Sequence, residues 1–341
     1  MSSTRKPERR ALVTGGTGFI GSYVARLLSE QGRTVSMLGR SRHLSAETRF
    51  VLGPWADRVS VHEAAIEDSK RITELIQDLM PTEIVHLAAI VDPPALQENP
   101  ALAFTANVGG TVTVLEAARR FHVERVVFFS SIGVLPPIQY EPIDAAHPII
   151  LPRHGPGSGA YGAAKAAGEL FCLAYQQSFG LNVRIVRPSA TYGFGMRSHS
   201  ANYMKQFVEP AVRGQPVKLA SGGSLPRDYT HVLDVASLSL AVLEAGDDTD
   251  RVFFAATGEP LVTAAECANI VRELVPGSDI EIGPGLSDED RLEVSFRGVL
   301  SIDNAWQQLG WKPRYRLLRE GIAEYIDRYR EFMSGEPSGY G

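Results

Sequence analysis

Residues 10–21 read Arg10-Ala11-Leu12-Val13-Thr14-Gly15-Gly16-Thr17-Gly18-Phe19-Ile20-Gly21, and this stretch decides the fold. A short apolar run over residues 11–14 breaks at once into glycines, and a helical pattern of apolar residues follows. A strand, a glycine turn and a helix in this order direct free backbone N–H groups and a positive helix end towards a pyrophosphate. The spacing is G-x-x-G-x-x-G rather than the commoner G-x-G-x-x-G, so an ordinary glycine-rich loop stays open as the alternative.

Each glycine of such a turn has its own role. Gly15 would form the tight turn, and Gly18 would let the backbone approach a phosphate closely. Gly21 would let the helix pack closely on the strand.

The composition is that of an ordinary soluble globular protein, with 341 residues, 44% of them hydrophobic and 21% charged. The net charge is −5 and the basic residues are scattered, which argues against a nucleic-acid partner. No run approaches the ~18 apolar residues of a membrane span, and residues 1–10 lack the apolar core of a secretory signal. Cys172 and Cys267 predict neither a disulfide framework nor a zinc site. We therefore expect a cytoplasmic protein without a metal, a nucleic-acid partner or membrane contact.

The first half of the chain alternates strand-like and helix-like segments, which predicts a parallel sheet with helices on both faces. The predicted strands cover residues 11–14, 34–38, 59–63, 84–88, 126–130 and 183–186. The predicted helices between them cover residues 18–31, 69–79, 100–121 and 161–179. The fold class that follows is α/β, a doubly wound parallel-sheet Rossmann fold with a smaller, partly interleaved C-terminal substrate domain.

Beyond residue 190 the alternation weakens, which suggests a division into domains. We expect a dinucleotide-binding domain over residues 1–190, to which residues 230–257 return with a strand at 252–256. Residues 191–229 and 258–333 would form the substrate-binding domain, and residues 334–341 a frayed tail. The proline-rich stretch over residues 132–160 is typical of a lid or binding loop, although a tolerated insertion is the alternative.

Tyr161 and Lys165 lie four residues apart in a predicted helix, so their side chains share one face. An adjacent ammonium favours the phenolate and would lower the tyrosine pKa towards the working pH of a general acid–base. A shift of ~3 units needs about 4 kcal/mol, so a second positive charge such as an oxidised nicotinamide ring would be required. Ser131 follows a predicted strand at the sheet edge that binds ligands, where its hydroxyl would meet a substrate oxygen. Taken alone, a tyrosine and a lysine at this spacing are also typical of a solvated helix face. A serine at this position is likewise typical of one that caps the end of a strand.

Together these stretches resemble the extended short-chain dehydrogenase/reductase family, in its nucleotide-sugar epimerase/dehydratase group. The matching motifs are, in chain order, Thr14-Gly15-Gly16-Thr17-Gly18-Phe19-Ile20-Gly21, His86-Leu87-Ala88-Ala89, Asn107 with Gly110-Thr111, Ser130-Ser131, Tyr161 with Lys165, Arg187-Pro188, Tyr192-Gly193, and Arg227-Asp228-Tyr229 with Val232 and Asp234. Each motif is weak alone, but the ordered set over roughly residues 10–235 is highly specific.

The resemblance implies hydride transfer at a secondary alcohol or ketone of a small-molecule substrate, first of all by a nucleotide-sugar 4-epimerase. It implies that Tyr161 is the acid–base, that Lys165 holds the nicotinamide ribose, and that Ser131 positions the substrate oxygen. Arg227 would bind a substrate phosphate. A homodimer through the helices over residues 100–121 and 161–179 is implied as well. The implied cofactor-binding residues are Gly15, Thr17, Gly18, Phe19, Ile20, Gly21, Arg40, Ile66, Leu87, Ala88, Ala89, Asn107, Tyr161, Lys165 and Pro188.

The sequence departs from the family at the cofactor. Where NAD-binding members carry an acid after the second strand, this chain has Gly39-Arg40-Ser41-Arg42. Guanidinium groups suit a 2′-phosphate, which favours NADP over NAD, although the arginines would also fit stacking on adenine or facing solvent. The adenine-contacting acid near residue 65 is missing too, since Ala65-Ile66 stands there.

It also departs at the substrate. Ile132-Gly133 stands where 4,6-dehydratases carry an Asp-Glu pair, which argues against water elimination. Ala190 replaces a common asparagine, and Arg291 and Arg297 are out of register for a second phosphate-binding arginine. These losses leave open a one-way NADP-dependent dehydrogenase or ketoreductase on a small non-nucleotide substrate, and more remotely a dinucleotide-sensing protein without catalysis.

Overall fold

The chain alternates strands and helices, as the sequence predicts. The computed structural model describes residues 8–197 and 203–335. Within them the strands are β1 (Arg10–Thr14), β2 (Thr34–Gly39), β3 (Ser60–Glu63), β4 (Glu83–His86), β5 (Arg125–Phe129), β6 (Val183–Pro188), β7 (Ala190–Tyr192), β8 (Val217–Leu219), β9 (Pro226–Arg227), β10 (Tyr229–His231), β11 (Val252–Ala255), β12 (Val262–Thr263) and β13 (Ile280–Ile282). The α-helices are α1 (Phe19–Glu30), α2 (Ala46–Leu52), α3 (Ser69–Leu79), α4 (Pro93–Glu98), α5 (Gly110–Arg120), α6 (Gly159–Phe179), α7 (Met204–Val212), α8 (Val232–Leu243), α9 (Ala264–Leu274), α10 (Asp288–Glu293), α11 (Asp303–Leu309) and α12 (Leu318–Ser334).

One sheet organises these elements. In the described part of the chain its strand order is β3-β2-β1-β4-β5-β6-β11, and every neighbouring pair is parallel. The order reverses between β1 and β4, and doubly wound folds bind ligands outside the carboxyl ends of the strands at such a point. This topology confirms the predicted fold class.

Both faces of the sheet are covered, because its strands are apolar on both sides. Leu12 and Ile84 point into one cluster of buried side chains, to which α3, α5 and α6 contribute. Val13 and Val85 point into the opposite cluster, with α1 and α8. The alternation along each strand therefore anchors helices on the two faces and leaves the carboxyl ends of the strands for the site.

Some element boundaries differ from the prediction. The predicted helix over residues 100–121 is divided into a π-helical turn, Ala103–Gly109, and α5, and α4 precedes both. β4 ends at His86, two residues before its predicted end. The sequence pattern missed α2 and α10 because helices of under two turns carry no readable period.

The later segments form small sheets of their own, β7 with β10, β9 with β12 and β8 with β13. The predicted return of residues 252–256 is confirmed, since β11 pairs with β6 in the main sheet. The division into two domains at the predicted boundaries stays a prediction. The last helix extends to Ser334, into the segment predicted to fray, and residues 336–341 lie outside the described residues. None of the described helices is long and apolar enough to cross a bilayer.

The predicted loop over residues 132–160 packs against the segment that follows α10. A 3₁₀ turn, Ile132–Val134, opens it directly after β5. Farther along, Ile143 forms an isolated β-bridge with Leu300, and both side chains are buried with Phe296. The loop therefore connects the end of β5 with the C-terminal part of the chain.

Candidate active site

The turn between β1 and α1 is tight and depends on glycine. Gly15 has a φ of +70°, in the left-handed region that favours glycine. A Cβ on Gly21 would lie 2.2 Å from the carbonyl oxygen of Gly15, so only glycine lets α1 start this close to the turn. A Cβ on Gly39 would lie 2.1 Å from Thr17 Oγ1, so Thr17 packs across the end of β2.

The start of α1 offers backbone donors to an anion. The first N–H groups of any helix lack partners within it. Gly18 precedes α1, with no capping side chain and no acidic residue in the first turn. A Cβ on Gly18 would come within 4 Å only of the Gly15 carbonyl oxygen among the described residues, so the outer side of the turn is open. Phe19 and Ile20 pack their side chains against the core. This cradle fits the pyrophosphate of a dinucleotide.

A buried polar chain fixes the segment after β4. Thr14 Oγ1 lies 2.7 Å from His86 Nδ1 and accepts the N–H of Ala88 at 3.2 Å. His86 Nε2 lies 3.1 Å from Thr111 Oγ1, which donates to the Asn107 carbonyl oxygen at 2.6 Å. The Thr111 hydroxyl donates its hydrogen bond to the Asn107 carbonyl oxygen, so towards His86 it can only accept, from the Nε2–H. His86 Nδ1 therefore carries no proton and accepts a hydrogen bond from the Thr14 hydroxyl. Burial lowers the pKa of His86 to about 3, so the ring is neutral.

The predicted cofactor-binding segment 87–89 therefore lies against the glycine turn. A Cβ on Gly15 would lie 2.9 Å from the backbone nitrogen of Ala88. Asn107 holds the next turn, since its Oδ1 accepts the Ile90 N–H at 2.7 Å and its Nδ2 donates to the Ile90 carbonyl at 3.1 Å. The structural role of His86 was missed from sequence, although a histidine in an apolar strand is the signal that could have revealed it.

Ser131 and Tyr161 meet at the carboxyl end of β5. The Ser131 hydroxyl is close enough to that of Tyr161 to favour the phenolate, and Ser131 Oγ accepts the N–H of Gly133 at 3.0 Å. The first turn of α6 comes this close because Gly162 has no side chain. A Cβ there would lie 2.3 Å from the carbonyl oxygen of Gly133. Gly162, which follows the tyrosine, thus permits this close approach.

The ammonium of Lys165 is buried one turn farther along α6. Its Nζ donates to the Phe129 carbonyl oxygen at 2.7 Å and lies 5.9 Å from the ring centre of Tyr161. Burial lowers the pKa of Lys165 to about 8. Burial also raises the pKa of Tyr161 to about 12, which the hydrogen bond with Ser131 only partly opposes. In the protein alone burial therefore dominates the pKa of Tyr161, and its lowering by Lys165 together with an oxidised nicotinamide ring stays a prediction.

A buried ion pair fixes the position of α6 against the sheet. Glu169 lies one turn after Lys165 and binds Arg187 of β6 through two contacts, Nε–Oε1 at 2.8 Å and Nη2–Oε2 at 2.6 Å. The pair joins α6 to the strand that ends at Pro188, a predicted cofactor-binding residue. Glu169 was missed from sequence, although an acid within an apolar helix is a readable signal.

Arg40 lies exposed just beyond the carboxyl end of β2. With Arg42 and Arg71 it lines a surface cavity of about 460 Å³, to which Glu63 and Asp68 also contribute. Arg71 was absent from the prediction because it comes from α3, far along the chain.

Ile66 does not line this cavity. Its side chain is buried, and a Cβ on Gly110 would lie 2.6 Å from its Cγ1. The side chain therefore packs against the start of α5.

Arg227, the predicted substrate-binding arginine, is buried in β9. Its Nη2 donates to Glu293 Oε2 at 2.9 Å, and Arg297 Nη2 donates to the same oxygen. The structure thus brings Arg297 beside Arg227, although the sequence register argued against it. Asp228 fixes the strand, because its Oδ2 accepts the N–H of Thr257 at 3.0 Å and that residue's hydroxyl as well. Within residues 8–197 and 203–335, no group of three or more metal-ligating side chains is placed to hold a metal ion.

Comparisons with known proteins agree with this geometry. Residues 11–255 match the NAD dependent epimerase/dehydratase family. A UDP-glucose 4-epimerase of Mycolicibacterium smegmatis is 31% identical over 337 residues, which cover 94% of this chain and 98% of the relative. A Thermotoga maritima UDP-glucose 4-epimerase with UDP-glucose superposes with a TM-score of 0.82 at 26% identity, covering 95% of this chain and 99% of the other. A Thermus thermophilus UDP-glucose 4-epimerase in complex with NAD superposes with a TM-score of 0.78 at 28% identity, covering 94% and 99%.

The family match includes the glycine turn, the segment after β4, the serine, the tyrosine–lysine pair and Arg227. The dinucleotide cradle and the tyrosine–serine pair open at the same edge of the sheet. This chain therefore belongs to the NAD dependent epimerase/dehydratase family and is an NAD(P)-dependent enzyme.

Proposed function

We propose that the protein is a nucleotide-sugar 4-epimerase, which inverts a secondary alcohol of a sugar ring through a keto intermediate. The observation that carries the proposal is the contact of Ser131 with Tyr161, beside Lys165, at the sheet edge that bears the glycine turn. The names of similar proteins, UDP-glucose 4-epimerases, support the substrate class.

Tyr161 would carry the proton in this reaction. When bound, an oxidised nicotinamide ring supplies a hydride acceptor and a positive charge. Tyr161 would take the proton of the sugar hydroxyl at its phenolic oxygen and return it after the inversion, while Ser131 hydrogen-bonds the same sugar oxygen. With a pKa of about 12, Tyr161 is protonated at neutral pH in the protein alone, so added positive charge favours its role as a base.

The glycine turn and the segment 87–89 would hold the dinucleotide. Their backbones lie together at the point where the strand order reverses. We propose that the cofactor is NADP in preference to NAD. Arg40, Arg42 and Arg71 line one cavity at the end of β2, and Gly39 offers no carboxylate to the ribose.

A one-way NADP-dependent dehydrogenase or ketoreductase on a smaller substrate is the second candidate. The arginine-lined cavity favours it, because exchangeable NADP is typical of reductases. The ion pair of Arg227 with Glu293 is compatible with it too, since this arginine has a carboxylate partner in the absence of a phosphate.

The experiment that separates the two candidates starts from the protein as purified. Denaturation releases any bound dinucleotide, which chromatography identifies, and incubation with UDP-glucose tests for UDP-galactose. An epimerase retains a bound dinucleotide and reaches an equilibrium of the two sugars without added reductant. Protein that is empty, leaves UDP-glucose unchanged and consumes NADPH with ketones would contradict the epimerase and support the reductase.

We also propose a homodimer built on α6 and the π-helical turn. Exposed apolar side chains lie along these elements, namely Phe104, Leu170, Phe171 and Phe179. A second copy of this chain would cover them, because exposed large apolar side chains that cluster mark association sites.

A cytoplasmic location stays a prediction. It is supported by the two buried thiols, Cys172 and Cys267, which form no disulfide.

A further inference from the structure

Two buried arginines, one of them the predicted substrate-binding Arg227, face one carboxylate. The side chains of Arg227 and Arg297 are 4% and 9% exposed, whereas that of Glu293 is 24% exposed. Both guanidinium groups donate to the same oxygen, Oε2 of Glu293. Among the described residues, neither arginine Nε has a hydrogen-bond partner. The arginines therefore have donor capacity that one shared carboxylate oxygen does not satisfy.

The charges of this group are also unbalanced. Two guanidinium groups share one carboxylate, and burial together with the charge of Arg227 lowers the pKa of Arg297. A diphosphate carries two negative charges and several acceptor oxygens, so it would satisfy both arginines more fully than Glu293 does.

The three residues differ in how firmly they are held. Arg227 lies in β9, which pairs with β12, and Asp228 next to it is hydrogen-bonded to Thr257. Glu293, by contrast, ends the six-residue helix α10 and is the most exposed of the three side chains. A rotation of Glu293 towards solvent would free both guanidinium groups, and the arginine in β9 would stay in place.

We propose that Glu293 is a specificity-determining residue, whose carboxylate competes with the diphosphate of a nucleotide sugar for Arg227 and Arg297. This inference rests on the proposed function. Binding exchanges one anion for the other, so a doubly charged diphosphate displaces Glu293 where neutral substrates do not. The competition lowers the affinity for nucleotide and aids product release.

The test is the dissociation constant of UDP, measured by titration calorimetry. Glu293→Gln keeps a hydrogen-bonding side chain but removes the competing charge, and we expect UDP to bind about tenfold more tightly than to the wild type. Glu293→Asp keeps the charge on a shorter side chain and should tighten binding less. Glu273→Gln, which removes a carboxylate from a surface pair with Arg319, is the matched control and should leave the constant unchanged.

Thermal denaturation with and without UDP is a second measurement, which keeps the test informative if Glu293→Gln is destabilised. Glu293→Gln leaves two buried positive charges without a counter-charge, so its Tm should fall, and UDP should raise that Tm by more than it raises the wild-type value. Weaker or unchanged UDP binding in Glu293→Gln would overturn the inference, and so would a failure of both proteins to bind UDP. Conversion of UDP-glucose by the wild type tests the proposed function separately. If the wild type is active but Glu293→Gln leaves the UDP dissociation constant unchanged, the inference about Glu293 is refuted and the proposed function stands.

Discussion

At the scale of single residues, burial decides the charge states around the candidate active site. The spacing in sequence correctly places Tyr161 and Lys165 on one face of a helix. It does not show that Lys165 donates to the Phe129 carbonyl, because that contact depends on where β5 ends relative to α6. Nor does it show that burial moves both pKa values against ionisation, Tyr161 to about 12 and Lys165 to about 8.

The pKa of Lys165 predicts a pH dependence of turnover. Below about pH 8 the ammonium is charged and supports the phenolate of Tyr161, and above it the charge is lost. We expect kcat to fall as pH rises through about 8, in a pH–rate profile at saturating substrate. In Lys165→Met the residual rate should no longer fall as pH rises through about 8. If the same fall persists in this variant, another group causes it.

Arg40 predicts a change of cofactor preference. Arg40→Asp places a carboxylate where the 2′-phosphate of NADP would lie, so the ratio of kcat/KM for NADP to that for NAD should fall by about tenfold to a hundredfold, as loss of a charge-assisted hydrogen bond allows. The matched control is Arg319→Asp on α12, in an exposed pair far along the chain. An unchanged ratio in Arg40→Asp would remove the arginine from the phosphate site.

At the scale of elements, sequence patterns predicted the sheet strands and the long helices but not the contacts that join them. The carboxylate–guanidinium pair between α6 and β6 is one such contact, since Glu169 and Arg187 are eighteen residues apart. The joining of the 132–160 loop to Leu300 is another. Contacts of this kind have no local period, so nothing in a short window of sequence predicts them.

Breaking the α6–β6 pair should be costly. Glu169→Gln leaves the Arg187 charge buried and poorly compensated, which should lower the free energy of unfolding by about 3–5 kcal/mol in urea denaturation. Glu273→Gln breaks an exposed pair and should cost at most about 1 kcal/mol. Equal decreases in the free energy of unfolding would show that the buried pair contributes no more to stability than the exposed one.

The apolar face of α6 predicts assembly. Leu170→Glu adds a charge to the proposed dimer surface, and we expect sedimentation to show a shift from dimer to monomer at micromolar concentration. Glu273→Gln on α9 serves as the control. A wild type that sediments as a monomer would contradict the homodimer directly.

At the scale of the whole molecule, the fold places the glycine turn after β1 and the hydroxyls of Ser131 and Tyr161 at one edge of a parallel sheet. The alternating strands and helices and the ordered motifs predicted this arrangement. They did not predict that Arg297 meets Arg227 across Glu293, because the three residues come from segments that only the folded C-terminal part brings together. The choice between epimerase and reductase depends on that group and on the arginine-lined cavity.

The central claim is that Tyr161 transfers the proton in a reaction on a nucleotide sugar. The most direct measurement is the rate of UDP-glucose to UDP-galactose conversion by Tyr161→Phe, beside its affinity for the dinucleotide. We predict a loss of at least about a hundredfold in kcat, with the dinucleotide dissociation constant within about twofold of wild type, because the pyrophosphate cradle is untouched. Conversion at the wild-type rate by Tyr161→Phe would contradict the account.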